Sequence, residues 1–341
     1  MKTNNNQFLD TLKTYFSKQA IPLLVLVAII IIASCFSPVF FTVANFENLL
    51  IQLAVNMITS MGMLCVILTG GIDLSVGSIV AVTGVLAAGF MRDMGILPAM
   101  LLALLIALII GIVNGVIVSY LRIAPFIVTL GMMSFARGLS YWYTNATPII
   151  LSMYEDDRNL KPFYDLGGGS LFGFIPIPAI IWIAMAIITF FILRYTTVGR
   201  ITYSIGGNEE AVRLSGINEK KYKLFPYAFI GICAGIAGIM LASRLRVGAP
   251  RSGEGLELDS IASVVIGGTS LSGGVGSVSG VIVGVFILGI IENLLNLLNV
   301  PSYPQMMLRG FIVVAAVIAS TRRGSQKKVK TSRIVGGKDD E

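Results

Sequence analysis

What this 341-residue chain lacks narrows its chemistry first. It has no histidine, which removes Ser-His-Asp and Cys-His nucleophilic sites and histidine-ligated metals. Its three cysteines, Cys35, Cys65 and Cys233, sit inside apolar runs without CxxC spacing. Neither a zinc site nor a disulfide framework is expected from them. Ile32-Ala33-Ser34-Cys35 loosely resembles a lipoprotein processing box, but further apolar segments follow where a soluble domain would have to start. No GxxxxGK[ST] phosphate cradle occurs, and Gly336-Gly337-Lys338 lacks both the upstream glycine and the following hydroxyl. The expectation is a chain with no catalytic residue and no metal or cofactor of its own, which does not hydrolyse ATP by itself.

Polar side chains embedded in apolar sequence remain. Gln52, Asn56 and Thr59 recur at i, i+4 and i+7 and so share one helix face. Glu292, Asn296 and Asn299 repeat that spacing, with Asn293 beside them, and Asn114 and Arg137 lie in other apolar runs. Such amides and hydroxyls can hydrogen-bond a neutral polyhydroxyl solute without covalent chemistry. They can equally join helices, at about 0.6 kcal/mol per bond on average. Asp73 at a turn and Glu292 near a segment end do not make the carboxylate chain of a proton relay.

Two glycine-rich turns share the pattern GGxxLSxG: residues 70–77 (GGIDLSVG) and 267–274 (GGTSLSGG), five matched positions in eight at an offset of 197. Interrupted helices in matching places are a pointer to a transport pathway. Asp73, Ser75 and Ser272 in these turns therefore join Gln52, Asn56, Arg137, Glu292, Asn293 and Asn296 as pathway candidates. The pairs Gly231/Gly235 and Gly280/Gly284 have GxxxG spacing and read as helix packing.

The elements that must position these residues follow from composition. The chain is 55% hydrophobic and 13% charged, with a mean hydropathy of +0.84. A soluble domain carries roughly 25% charge. That balance excludes disorder and nucleic-acid binding, despite a net charge of +7. The fold class expected is all-α: a polytopic integral membrane protein of about ten transmembrane helices. The segments are about 21–36, 48–69, 76–91, 96–120, 124–144, 175–194, 224–243, 257–272, 278–299 and 304–320. An even count places both termini on one side. Seventeen of the 25 Lys and Arg then fall with them, which makes that side cytoplasmic. Residues 1–20 form a cytoplasmic arm, 21–320 the transmembrane domain and 321–341 a basic, frayed tail near lipid. Outside the membrane lie an outer loop, 145–174, with Glu155, Asp156 and Asp157, an inner loop, 195–223, and a second outer loop, 244–257.

The inner loop carries a short helix of its own. Asn208 is a good N-cap, Glu209 and Glu210 fill the first turn, and Gly216 is a good stop. The helix, roughly 209–215, would present Ala211, Val212 and Leu214 as an apolar face. It would lie on the lipid or dock into a partner.

At the level of longer motifs the chain resembles the permease subunits of bacterial ABC importers for sugars, the ribose, xylose and galactose branch of the branched-chain-type permeases. The similar stretches are ILTGGIDLSVGS at 67–78, TLGMMSFARGL at 129–139, YTNATPI at 143–149, GGNEEAVRLSGIN at 206–218, GLELDSIASVVIGGTSLSGGVGS at 255–277 and LNLLNVPSYPQMM at 295–307. The resemblance implies a second copy of the chain, an ATP-binding cassette subunit that holds ATP and magnesium, and an extracytoplasmic sugar-binding protein. It also implies that the loop helix is a coupling helix. Gly206, Gly207, Asn208, Glu209, Glu210, Ala211, Leu214 and Gly216 would then engage the ATPase. Arg244, Arg246 and Arg251 are expected to face carboxylates of the binding protein. The rival classes are a secondary carrier, a facilitative channel and a membrane scaffold.

Overall fold

The computed structural model describes residues 3–154 and 160–335, with side chains from 20 to 153 and from 160 to 318. Glu155, Asp156, Asp157 and Gly336-Gly337-Lys338 lie outside the described residues. The described part is built from twelve α-helices: α1 (Thr3–Phe36), α2 (Val43–Leu68), α3 (Val76–Met94), α4 (Ile96–Tyr120), α5 (Pro125–Thr144), α6 (Lys161–Gly168), α7 (Ile177–Tyr195), α8 (Thr197–Leu214), α9 (Glu219–Leu245), α10 (Leu256–Ile266), α11 (Val278–Leu297) and α12 (Ser302–Val335). Two small antiparallel pairs join them, β1 (Ile149–Ile150) with β4 (Val247–Gly248), and β2 (Ser170–Leu171) with β3 (Ile175–Pro176).

Six of these helices, α2, α3, α4, α7, α9 and α11, are long and apolar enough to cross a membrane. The apolar parts of α1 and α12, Ala20–Phe36 and Ser302–Ile318, are shorter. The eighth expected segment does not run to 272: α10 stops at Ile266. Its eleven residues rise only about 16 Å, half of a roughly 30 Å hydrocarbon core. α1 starts at Thr3, within the expected arm, and α12 continues to Val335, through most of the expected tail.

α9 is the central helix. It packs on α4 where Gly111 and Gly231 oppose one another, and on α3 where Gly84 and Gly238 do. A Cβ on Gly84 would stand 3.0 Å from the Gly238 carbonyl, so the two backbones touch. In lipid no hydrophobic effect draws helices together, and such close approach supplies the packing instead. Gly280 and Gly284 do the same for α11 against α10, meeting Gly267 and the Ser263 carbonyl. α2 and α3 are enclosed, whereas α4 and α7 leave most of their apolar surface outside.

The two glycine-rich turns are similar, but not in the register of their sequence match. After α2, Gly70 (φ +79°) donates to Ile67 O at 2.9 Å and Gly71 to Val66 O at 3.2 Å. After α10, Gly268 (φ +90°) donates to Val265 O at 2.9 Å and Thr269 to Val264 O at 3.2 Å. Gly70 thus corresponds to Gly268, an offset of 198 (268 minus 70) rather than 197. A helix end needs its left-handed residue at one position, and the caps align on that residue, not on the serines. Ser75 stands at the N-cap of α3, while Ser272 is exposed on the turn five residues before Ser277, the N-cap of α11.

Candidate translocation and coupling sites

α8 lies against both glycine turns. Gly274 N donates to Leu68 O at 2.9 Å, which ties the second turn to the end of α2. Gly206 is seated on that junction, where a Cβ would strike Leu68 O and the Gly273-Gly274 backbone. Tyr203 on the previous turn of α8 donates to Gly276 O at 3.0 Å. The chain kinks immediately afterwards: Asn208 has φ −161° and ψ 99°, and its Oδ1 accepts from Ala211 N at 3.0 Å. The expected N-cap is therefore present. The expected apolar face is split. Val212 is buried with Ile201, Ile205, Ile217 and Tyr222, while Ala211 is exposed and Leu214 is 79% exposed. Glu209 pairs with Lys223 at 2.8 Å, Glu210 faces Arg213 at 3.5 Å, and Gly216 takes the left-handed stop at φ +81°.

Ser272 stands apart, its hydroxyl 2.8 Å from that of Ser270, and the other pathway candidates fall into four groups. In the first turn Asp73 is fully buried; its Oδ1 accepts from Ser75 N at 2.8 Å and from Ser75 Oγ at 2.6 Å. Asn114 of α4 donates to Ser75 Oγ at 2.9 Å. Thr129 of α5 donates to Ile72 O at 3.3 Å. Together these hold the extended piece between α2 and α3 in the bundle.

The second cluster is a seam between α2 and α10. Asn56 Nδ2 donates to Ser263 Oγ at 3.1 Å, Ser60 Oγ donates to Asn56 Oδ1 at 3.1 Å, and the Thr59 and Ser260 hydroxyls are 2.8 Å apart. Gln52 sits half-buried one turn away on the same face. The third cluster ties helix ends. Asn293 and Asn45 exchange amide bonds of 3.0 and 3.1 Å, and Gln305 donates to Asn296 at 3.0 Å. Asn293 therefore ties α11 to α2.

The fourth cluster is charged. Arg309 of α12 lies 2.6 Å from Glu292 of α11 and 2.9 Å from Asp259 of α10. Arg137 of α5 donates to Pro250 O at 2.7 Å and to Ser252 O at 2.8 Å. Together with two glycine contacts, these bonds lay the loop between α9 and α10 alongside α3 and α5. Gly248 packs on Ala88 and Val85 of α3, with a Cβ there 3.2 Å from Val85 Cα. Gly253 (φ +72°) packs on Gly77 and Val80, and a Cβ there would stand 2.7 Å from Gly77 O. Between the two the chain descends alongside α3 by eight helical residues, about 12 Å. Residues 250–255 form successive turns, and the Arg137 guanidinium satisfies two of their carbonyls; non-helical backbone within a membrane bundle is tolerated only where protein or an aqueous cavity satisfies it in this way. Arg251 lies on this piece and pairs with Glu254 at 3.2 Å. Arg244 and Arg246 stay at the end of α9, with Arg246 at its left-handed C-cap, 4.6 Å over the Tyr164 ring.

Asn45, Ser260, Ser263, Asp259 and Arg309 were missed as partners in the sequence. The polar spacing Asp259-Ser260-Ser263 within an apolar run was the available signal for three of them. Among the described residues no group of three or more Asp, Glu, Cys or His is placed to hold a metal ion.

A helical bundle with six helices long and apolar enough to cross a membrane, and polar seams between them, is the architecture of a polytopic membrane protein. The family is shown by comparison: residues 45–317 match the branched-chain amino acid transport system / permease component model, and the chain belongs to that family of permeases. It is 44% identical over 307 residues to the ribose import permease protein RbsC of Escherichia coli (strain K12), covering 90% of this chain and 94% of that one. To the RbsC of Bacillus subtilis (strain 168) it is 42% identical over 306 residues, covering 89% and 93%. To the L-arabinose transport system permease protein AraH of Escherichia coli (strain K12) it is 38% identical over 310 residues, covering 90% and 92%. No solved structure matches the chain.

Proposed function

We propose that this chain is the membrane-spanning permease subunit of an ATP-driven ABC importer for a monosaccharide, ribose or a similar sugar. The 44% identity to a ribose import permease, spread over nine-tenths of the chain, carries the reading. In this reading the chain lies in the bacterial plasma membrane with both termini cytoplasmic. The α8 face is the cytoplasmic one. The apolar parts of α1 and α12, with α5, complete the spans, and α10 joins the preceding run of turns as a discontinuous one. Residues 1–20 and 321–341 flank the transmembrane unit on the cytoplasmic side.

Two copies surround the path, each engaged by an ATP-binding cassette subunit that holds ATP and magnesium. The exposed tip of α8 docks there, with Glu209, Glu210, Ala211 and Leu214 outward and Gly206, Gly207, Asn208 and Gly216 setting its geometry. Closing of the cassettes moves α8, and rigid-body movement of the attached helices opens the path to one side and then the other. An extracytoplasmic binding protein delivers the sugar to the outer face, where Arg244 and Arg246 are placed for its carboxylates. Transport breaks no bond in the sugar, so the permease supplies only hydrogen-bonding groups and movement. Asn56, Asp73, Ser75 and Arg137 support the moving elements, and Gln52 and Ser272 remain lining candidates.

The test is purification of the permease with its ATP-binding subunit, followed by sugar uptake into reconstituted vesicles. Uptake that needs ATP, is blocked by vanadate and is competed best by pentoses supports the reading. Uptake driven by a proton or sodium gradient would mark a secondary carrier, and bidirectional flow without ATP a channel. Either result overturns it.

A further inference from the structure

The re-entrant piece 249–255 places ionic groups at a depth where lipid does not accept them. Arg137 lies seven residues before the Thr144 end of α5, about 10 Å below it. Arg309 lies seven residues after the Ser302 start of α12, also about 10 Å in, and Glu292 five residues before the Leu297 end of α11, about 8 Å in. The start of α10 is level with them, because Arg309 binds Asp259 and approaches Gly255 to within 3.9 Å of a Cβ built there. Residues 249–255 therefore lie in the same layer, packed along α3 between Val85 and Gly77. The piece descends about 12 Å and α10 adds about 16 Å, which together cross a hydrocarbon core of roughly 30 Å.

Within this layer Arg309 is held by two carboxylates and Arg137 by two carbonyls. Arg251 and Glu254 are different. They touch one another at 3.2 Å, yet their side chains are 75% and 48% exposed. An ion pair facing hydrocarbon is costly, and charged side chains at such depth face a bundle interior or water. We propose that Arg251 and Glu254 line the aqueous path of the transporter, in the series of turns that leads into α10. There they offer charge-assisted hydrogen bonds to the hydroxyls of a neutral polyhydroxyl solute. This rests on the transport reading above and adds the residues that meet the solute. Arg137 is the positioning residue behind them, since its two bonds fix the backbone that carries both.

The test is cysteine accessibility in the complete complex with its ATP-binding subunit. Cys35, Cys65 and Cys233 are first replaced, and then Arg251→Cys, Glu254→Cys and, as a lipid-side control, Ile183→Cys are made one at a time. A charged methanethiosulfonate reagent modifies the thiolate, which forms in water and not in lipid, so positions 251 and 254 are expected to react about tenfold or more faster than 183. Labelling at 254 is expected to slow when sugar-loaded binding protein and ATP are added. Labelling is read on the monodisperse fraction, so it reports even from a variant that transports poorly, and position 251 serves where 254 does not assemble. Rates at 251 and 254 no faster than at 183 overturn the proposal. If both label quickly while no sugar protects them and no uptake needs ATP, the transport reading fails and the aqueous surface stands. If uptake by the parent needs ATP and sugar still gives no protection, the contact with solute is overturned.

Discussion

Gly206 rests directly on Gly274, backbone against backbone, and Gly274 in turn donates to Leu68 O at 2.9 Å. α8, the end of α2 and the turn before α11 therefore meet without an intervening side chain. Side chains can absorb a displacement by changing rotamer, but backbones in contact pass it on. Gly206→Val is expected to leave the permease able to co-purify with its ATP-binding subunit while lowering ATP-driven uptake about tenfold or more. Uptake at the parental rate in reconstituted vesicles would reduce the junction to simple packing.

Asp259 makes the Arg309 triad sensitive to which partner is lost. Its side chain is 12% exposed, against 32% for Arg309 and 30% for Glu292. Arg309→Met would leave the Asp259 carboxylate nearly buried and uncompensated, at a cost of about 3 kcal/mol. Asp259→Asn added to Arg309→Met is expected to recover most of the lost thermal stability in detergent. If the double variant melts no higher than the single one, Asp259 is not the group that Arg309 neutralises.

The two turns fail for different reasons when their glycines are replaced. At Gly71 a Cβ would strike the Tyr227 hydroxyl, whereas at Gly268 there is open space but φ is +90°. Gly71→Ala is therefore expected to impair folding or uptake and to be partly rescued by Tyr227→Phe. Gly268→Asn is expected to be tolerated better than Gly268→Val, by about 1–2 kcal/mol, because asparagine enters the left-handed region more readily. Equal uptake by the asparagine and valine variants would show that the turn does not need that conformation.

These positions also mark where the sequence was readable. Apolar run lengths located the helices, because lipid forces backbone groups to pair within a segment. The cap at Asn208 was readable because capping is decided by a few neighbouring residues. The short extent of α10 was not, since residues 257–272 read as one largely apolar, serine- and glycine-rich run despite Glu257 and Asp259, and only contacts with α2, α11 and α12 reveal where the helix begins and ends. Asn293 and Glu292 looked like lining groups because helical spacing shows a shared face but not what stands opposite. Their partners, Asn45 and Arg309, lie in other helices. The packing of residues 248–253 on α3 was hidden for the same reason: a loop between two apolar runs gives no sign of what it lies against.

Arg244 and Arg246 lie at the C-terminal end of α9, which the proposed orientation puts outside, and there they should act through charge. Reversing both to glutamate is expected to weaken stimulation of the ATPase by sugar-loaded binding protein about tenfold at low salt, with a smaller effect at high salt where such steering is screened. The measurement is ATPase rate against binding-protein concentration at two ionic strengths. A loss that is the same at both would point to disturbed folding around Tyr164 rather than to a charged interface.

Glu209 has one partner within the chain, Lys223 at 2.8 Å, and an exposed position at the start of the short helix beyond the Asn208 kink. The two roles separate by charge exchange. Glu209→Lys breaks the pair and is expected to lower sugar-stimulated ATPase activity. The exchange Glu209→Lys with Lys223→Glu restores an internal pair of the same kind. If the carboxylate serves only to hold the helix against α9, the exchange should recover coupling. If it meets the ATP-binding subunit, coupling should stay low while the melting temperature returns. The docking reading expects the second outcome, and expects Leu214→Arg, which places charge on a 79% exposed apolar tip, to uncouple the complex without lowering the stability of the isolated permease. Full coupling in both the exchanged pair and Leu214→Arg would remove the docking role from α8.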